Sequence, residues 1–219
     1  IGTSSADKTA RVWDAENGQP LLTLTGHTAD VWSASFSADG THILTLSFDN
    51  TVRVWDATSG QLRHTLSGHT DTVRLARFSC DGARILTWGN DNTARVWDAT
   101  SGEQLYQFQA DLAAFNQDGT RIVTASSGNN NAYIWDATSG QLALTLEGHT
   151  AGGGYAADRP QFVEFLDQFP FQPARTRDEE VVRHRGLGPC GVFLPGIRAG
   201  IGIVMGARPM RARLARLRA

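Results

Sequence analysis

An all-β fold built from repeated four-stranded antiparallel sheets is what the sequence predicts, on three observations. Trp-Asp dipeptides recur at Trp13-Asp14, Trp55-Asp56, Trp97-Asp98 and Trp135-Asp136, in steps of 42, 42 and 38 residues. Gly-His dipeptides keep the same beat at Gly26-His27, Gly68-His69 and Gly148-His149. Between them, short β-rich runs are broken by turn residues about every 8–12 positions, and no stretch up to residue 150 carries a helical period. A period of about 40–45 residues bearing both dipeptides is the signature of propeller blades.

The unit that starts at Gly26 shows each element in order. Residues 31–36 form a first strand, ended by Ser37-Ala38-Asp39-Gly40, where Asp caps the turn and Gly takes positive φ. Residues 41–47 are β-rich, and an Asp-Asn-Thr turn leads into residues 51–55, which alternate polar and apolar as a half-buried strand does. Asp56-Ala-Thr-Ser-Gly60 then turns the chain into a fourth strand at 61–66. On this pattern residues 1–25 are a partial unit beginning in its second strand, 26–67 and 68–109 are full units, and 110–147 is a shortened one. The shortened unit has lost five residues between Phe108 and Phe115, places Gln109-Ala110 where Gly-His belongs, and has Asn129 in place of an Asp. It is expected to be the softest.

Gly-His, Asp-x-Thr-x-Arg-Val-Trp-Asp and Asp-Gly, recurring in register over residues 1–150, make the chain resemble the WD-repeat β-propeller family, in tandem arrays of bacterial type. The resemblance implies about four blades around a channel, with faces that bind other proteins. It also implies a hydrogen-bonded tetrad in each full unit: His27, Thr45, Asp49 and Trp55, then His69, Thr87, Asp91 and Trp97. The chemistry suits these types, since a carboxylate orients an imidazole, which meets a hydroxyl that accepts from an indole N–H. Asp, His and a hydroxyl also invite a catalytic-triad reading. Against it stand a Thr hydroxyl, an indole partner and recurrence in successive units, so no catalytic residue is assigned. The first unit has Thr3, Asp7 and Trp13 without a His; the last keeps Thr124 and Trp135.

A ring closes with roughly 4–8 blades. The repeat stops at Gly148-His149-Thr150, and Ile1 falls in mid-unit. The expectation is therefore an open arc or incomplete ring, a fragment of a longer protein, whose open blade edges self-associate. Residues 151–219 change character: 11 Arg against 6 acidic residues, six of the seven prolines and no Trp, giving net +5 where residues 1–150 carry −7. One reading is an unevolved product of a shifted reading frame. Another is a disordered or partly helical basic tail, with a helix at 159–169 and an Arg-rich segment at 208–218 for nucleic acid or an anionic surface. A third, a nucleotide turn at Gly196-Ile-Arg-Ala-Gly200-Ile-Gly202, lacks the preceding strand and following helix it needs.

No metal is assigned, because the cysteines Cys80 and Cys190 and the histidines outside Gly-His have no partners at ligand spacing. No cofactor or small-molecule substrate is assigned either. The Asp-Ala-Thr-Ser-Gly turn is similar to that of quinoprotein dehydrogenase propellers, an alternative that would need a cofactor pocket and clustered carboxylates for a metal. The function expected is a non-catalytic, cytoplasmic protein-interaction scaffold, the sensor or recruitment part of a larger signalling protein. Its partner contacts are expected at Trp32, Phe48, Arg74 and Asn90, because aromatic and Arg side chains in loops are the usual anchors.

Overall fold

Gly and Asn in left-handed conformation punctuate the chain into strands. The computed structural model describes residues 1–126, 128 and 130–147. The first sheet holds β1 (Gly2–Ser4), β2 (Ala10–Trp13) and β3 (Pro20–Leu24). The second holds β4 (Val31–Phe36), β5 (His42–Ser47), β6 (Val52–Asp56) and β7 (Leu62–Leu66). The third holds β8 (Val73–Phe78), β9 (Arg84–Gly89), β10 (Thr93–Asp98) and β11 (Gln104–Gln109); the fourth holds β12 (Leu112–Phe115), β13 (Arg121–Ala125), β14 (Ala132–Asp136) and β15 (Leu142–Leu146). All are antiparallel meanders in chain order, one three-stranded and three four-stranded, and they make a partial propeller without closure.

Alternation along the strands gives each sheet two apolar faces, and the sheets stack face to face. At the first junction Ala10, Val12 and Leu24 meet Val31, Ala34, Ile43 and Trp55 of the second sheet. At the second, Leu44, Leu46, Val52, Val54 and Leu66 meet Val73, Ala76, Ile85 and Trp97. At the third, Leu86, Ala94, Val96 and Phe108 meet Ala113, Ile122 and Trp135. Each sheet thus offers a Val/Leu face and receives the Trp of the sheet that follows. Further out, Leu22, His64 and Tyr106 rest on Gly60, Gly102 and Gly140 of the next sheet, where a side chain would collide or crowd. Burying these faces is the main source of stability, at about 25 cal/mol per Å² of apolar surface.

The shortened repeat leaves only residues 110–111 between β11 and β12, against 25–30 and 67–72 at the other junctions. Asn129, Gly148-His149-Thr150, and the helical, Gly-rich and Arg-rich segments expected within 151–219 lie outside the described residues. Among the described residues no helix is long and apolar enough to cross a membrane.

Candidate partner-binding face

Antiparallel meanders send alternate loops to opposite ends. The Gly-His loops and the Asp-Asn-Thr turns therefore share one end of the arc, and a polar frame beneath them holds it. In the second sheet His27 Nδ1 lies 2.8 Å from Asp49 Oδ2, His27 Nε2 lies 2.8 Å from Thr45 Oγ1, and Trp55 Nε1–H donates to Thr45 Oγ1 at 2.8 Å. The third sheet repeats it: His69 to Asp91 at 2.9 Å, His69 to Thr87 at 2.8 Å, and Trp97 to Thr87 at 2.9 Å. Donor logic sets the tautomer. Asp can only accept, so Nδ1 carries the proton, and the Thr hydroxyl, already accepting from the indole, donates its hydrogen to Nε2.

Protonating Nε2 would strand that Thr hydrogen, and burial also pushes both imidazoles below the ordinary His value despite the facing carboxylates. For Asp49, burial alone would raise the carboxyl. Hydrogen bonds from Thr51 and His27 and from the Thr28 and Thr51 N–H groups outweigh it and hold it at about 2. Asp91 is lowered in the same way by Thr93, the Thr70 N–H and His69. Thr51 and Thr93, whose hydroxyls donate to these carboxylates at 2.7 and 2.8 Å, were not singled out from the sequence, although the recurring Asp-Asn-Thr carries them. Thr45 and Thr87 are fully buried, so neither hydroxyl can meet a substrate.

The other two sheets keep part of this frame. Trp13 donates to Thr3 and Trp135 to Thr124, both at 2.8 Å. In the fourth sheet the shortened loop brings no His, and Phe108 stacks on Trp135 instead, 4.4 Å between centroids.

On this frame stand the four expected contact residues. Register shifts at Val31/Ser33 and Val73/Leu75 make Trp32 and Arg74 the extra residues of β-bulges at the heads of β4 and β8. A bulge re-aims its side chain, and no sequence pattern announces one. Arg74 Nε donates to Asn90 Oδ1 at 2.7 Å, joining the bulge to the neighbouring turn, and both are exposed. Phe48 is 55% exposed, its N–H held by the Asp30 carbonyl at 3.0 Å. Trp32 is less accessible than Phe48 and Arg74. It is half-buried against the core of the second junction, with its indole N–H buried and without an acceptor among the described residues.

The repeats match the WD domain, G-beta repeat family at residues 18–56, 60–98 and 110–136. A ribosome assembly protein 4 of Chaetomium thermophilum is 46% identical over 43 residues, 20% of this chain and 8% of the relative. A nuclear distribution protein PAC1 of Mycosarcoma maydis is 46% identical over 46 residues, 21% and 10% of the two chains. A guanine nucleotide-binding protein subunit beta-1 of Caenorhabditis briggsae is 54% identical over 39 residues, 18% and 12%. Each alignment spans about one repeat, so the chain matches only a small part of these relatives. The first two matches each take the outer strand of one sheet with the first three strands of the next, the third takes β12–β14, and the Trp–Thr pairing is present in all four sheets, so the repeats of this chain are those of the WD-repeat family.

Proposed function

We propose that the protein is a non-catalytic scaffold that recruits other proteins on the face bearing the Gly-His loops, as the sensor or recruitment part of a larger cytoplasmic signalling protein. One observation carries this reading: side chains differ at equivalent tips while the frame behind them repeats. Trp32 and Arg74 occupy the same bulge in successive sheets, and Phe48 and Asn90 the same turn. Variable tips on a rigid scaffold are where binding specificity resides. Phe48 and Arg74 supply the aromatic and guanidinium chemistry of interface anchors. One relative is named for ribosome assembly and another as a subunit, which supports work alongside other proteins.

A second contact mode in this reading is self-association, supported by three exposed leucines on β15: Leu142, Leu144 and Leu146. The recruitment reading is tested by titrating a protein captured by the wild type against Phe48→Ala and Arg74→Ala, with Arg63→Ala at the opposite end as control. The expected outcome is a loss of about tenfold or more in affinity for the first two with melting temperature unchanged, and no loss for Arg63→Ala. Wild-type affinity in both loop variants would defeat it.

A further inference from the structure

At the end opposite the Gly-His loops, the second and third sheets leave a cleft of about 190 Å³ between them. Its floor is common to the junctions. Phe78 and Ala99 form it here, as Phe36 with Ala57 and Phe115 with Ala137 do at the first and third junctions. Its rim is particular to this one, with His42 of β5, Arg63 and His64 of β7, and Thr100 from the turn after β10.

Arg63 owes its place to a bulge. Val54 pairs with His64 and Trp55 with Leu62, so Arg63 is the extra residue between them, and its side chain is re-aimed. The outer strands of the first and third sheets bulge at the same point, but with Leu21 and Leu105 there, followed by Leu22 and Tyr106. The Tyr106 hydroxyl donates to the carbonyl of Thr138, the counterpart of Thr100, and ties the third junction where the second has only His64.

Among the described residues, much of the hydrogen-bonding capacity of this rim is unused. Of its five N–H groups Arg63 gives one to Asp56, Nη2 to Oδ2 at 2.7 Å, which steadies the guanidinium and offsets part of its charge. Neither ring nitrogen of His64 is hydrogen-bonded among them. At His42, Nδ1 lies 2.7 Å from the Thr41 hydroxyl, which donates to Asp39 at 2.8 Å and so accepts from Nδ1–H. Nε2 is left over, as a lone pair on the neutral ring or an N–H on the charged one.

These groups suit one kind of ligand. A phosphate monoester loses its second proton at about pH 6, so near neutrality it can offer O–H to the imidazole lone pair or accept N–H from the imidazolium. An ionised carboxylate can only accept. Arg63 supplies a fixed cation with a planar set of donors, and the Phe78 ring and Ala99 methyl call for an apolar stem behind the oxyanion. We propose that this cleft binds a phosphate monoester carried on a short apolar or aromatic stem. The site lies at the far end of the sheets from Phe48 and Arg74 and does not depend on the recruitment reading.

The experiment titrates the full chain with phenyl phosphate, inorganic phosphate and benzoate, followed by calorimetry. Phenyl phosphate should bind saturably, and the other two more weakly by about tenfold each. Arg63→Leu and His64→Leu install the residues the first sheet carries at these positions, Leu21 and Leu22, so the junction still packs. Each should weaken phenyl phosphate by about tenfold or more with the melting temperature unchanged. Arg121→Gln, which removes an equal charge from the fourth sheet, should leave the affinity as it was. No saturable binding, benzoate as tight as phenyl phosphate, or Arg121→Gln as damaging as Arg63→Leu would each overturn the proposal. Inorganic phosphate binding as tightly as phenyl phosphate would overturn it too, since the stem would then contribute nothing.

Discussion

At the scale of single residues, the buried imidazoles make stability depend on pH in two steps. His27 and His69 have folded values below the ordinary 6.5, so the unfolded chain takes up protons first. Their contribution is complete above that value and is lost as pH falls below it. Asp49 sits at about 2 in the fold against an ordinary 3.8, so its contribution is present above 3.8 and disappears as pH falls toward 2. Removing Asp91 strands the His69 Nδ1–H and the Thr70 N–H. Asp91→Ala is expected to lower the stability by about 1–3 kcal/mol at neutral pH and to shrink the acidic step. Denaturant melts from pH 8 to pH 3 check this, and a variant curve superimposed on the wild type would remove the tetrad from the account. The tetrads could be read from the sequence because Gly-His, Thr, Asp and Trp return at constant offsets. The half-burial of Trp32 could not, since it depends on a bulge set by pairing across β4 and β5.

Among elements, the turns decide where strands stop. The turn between β5 and β6 and that between β9 and β10 place Asn50 and Asn92 at φ 64 and 57, a region Asn tolerates; the equivalent turn between β1 and β2 puts Lys8 there at φ 70. A long side chain in that conformation carries a backbone cost that glycine does not. Lys8→Gly is expected to raise stability by about 0.5–1 kcal/mol even though glycine loosens the unfolded chain. Thermal melts measure it, and destabilisation would mean that Lys8 makes a contact worth more than its strain. The turns were legible because Asp-Gly and Asp-Asn-Thr state their own geometry. The junction glycines were less so: what Gly102 must avoid, His64 with carbons and nitrogen under 3 Å from a would-be Cβ, belongs to the neighbouring sheet.

For the whole molecule, cohesion is unequal along the arc. The second and third sheets are covered on both faces and carry complete tetrads. The fourth sheet has a short entry loop, no His beside Thr124 among the described residues, and an outer strand exposed along its length. Amide hydrogen exchange should therefore run fastest in β12–β15 and slowest in β5, β6, β9 and β10, and uniform protection would contradict the ranking. The shortened repeat announced this in the sequence, but which face would lie bare followed only from the stacking of sheet on sheet. That stacking has a genetic corollary. A tandem duplication of 42 residues would insert one more wedge with both mating surfaces already cut, so the array can lengthen or shorten by recombination without any new seam having to evolve.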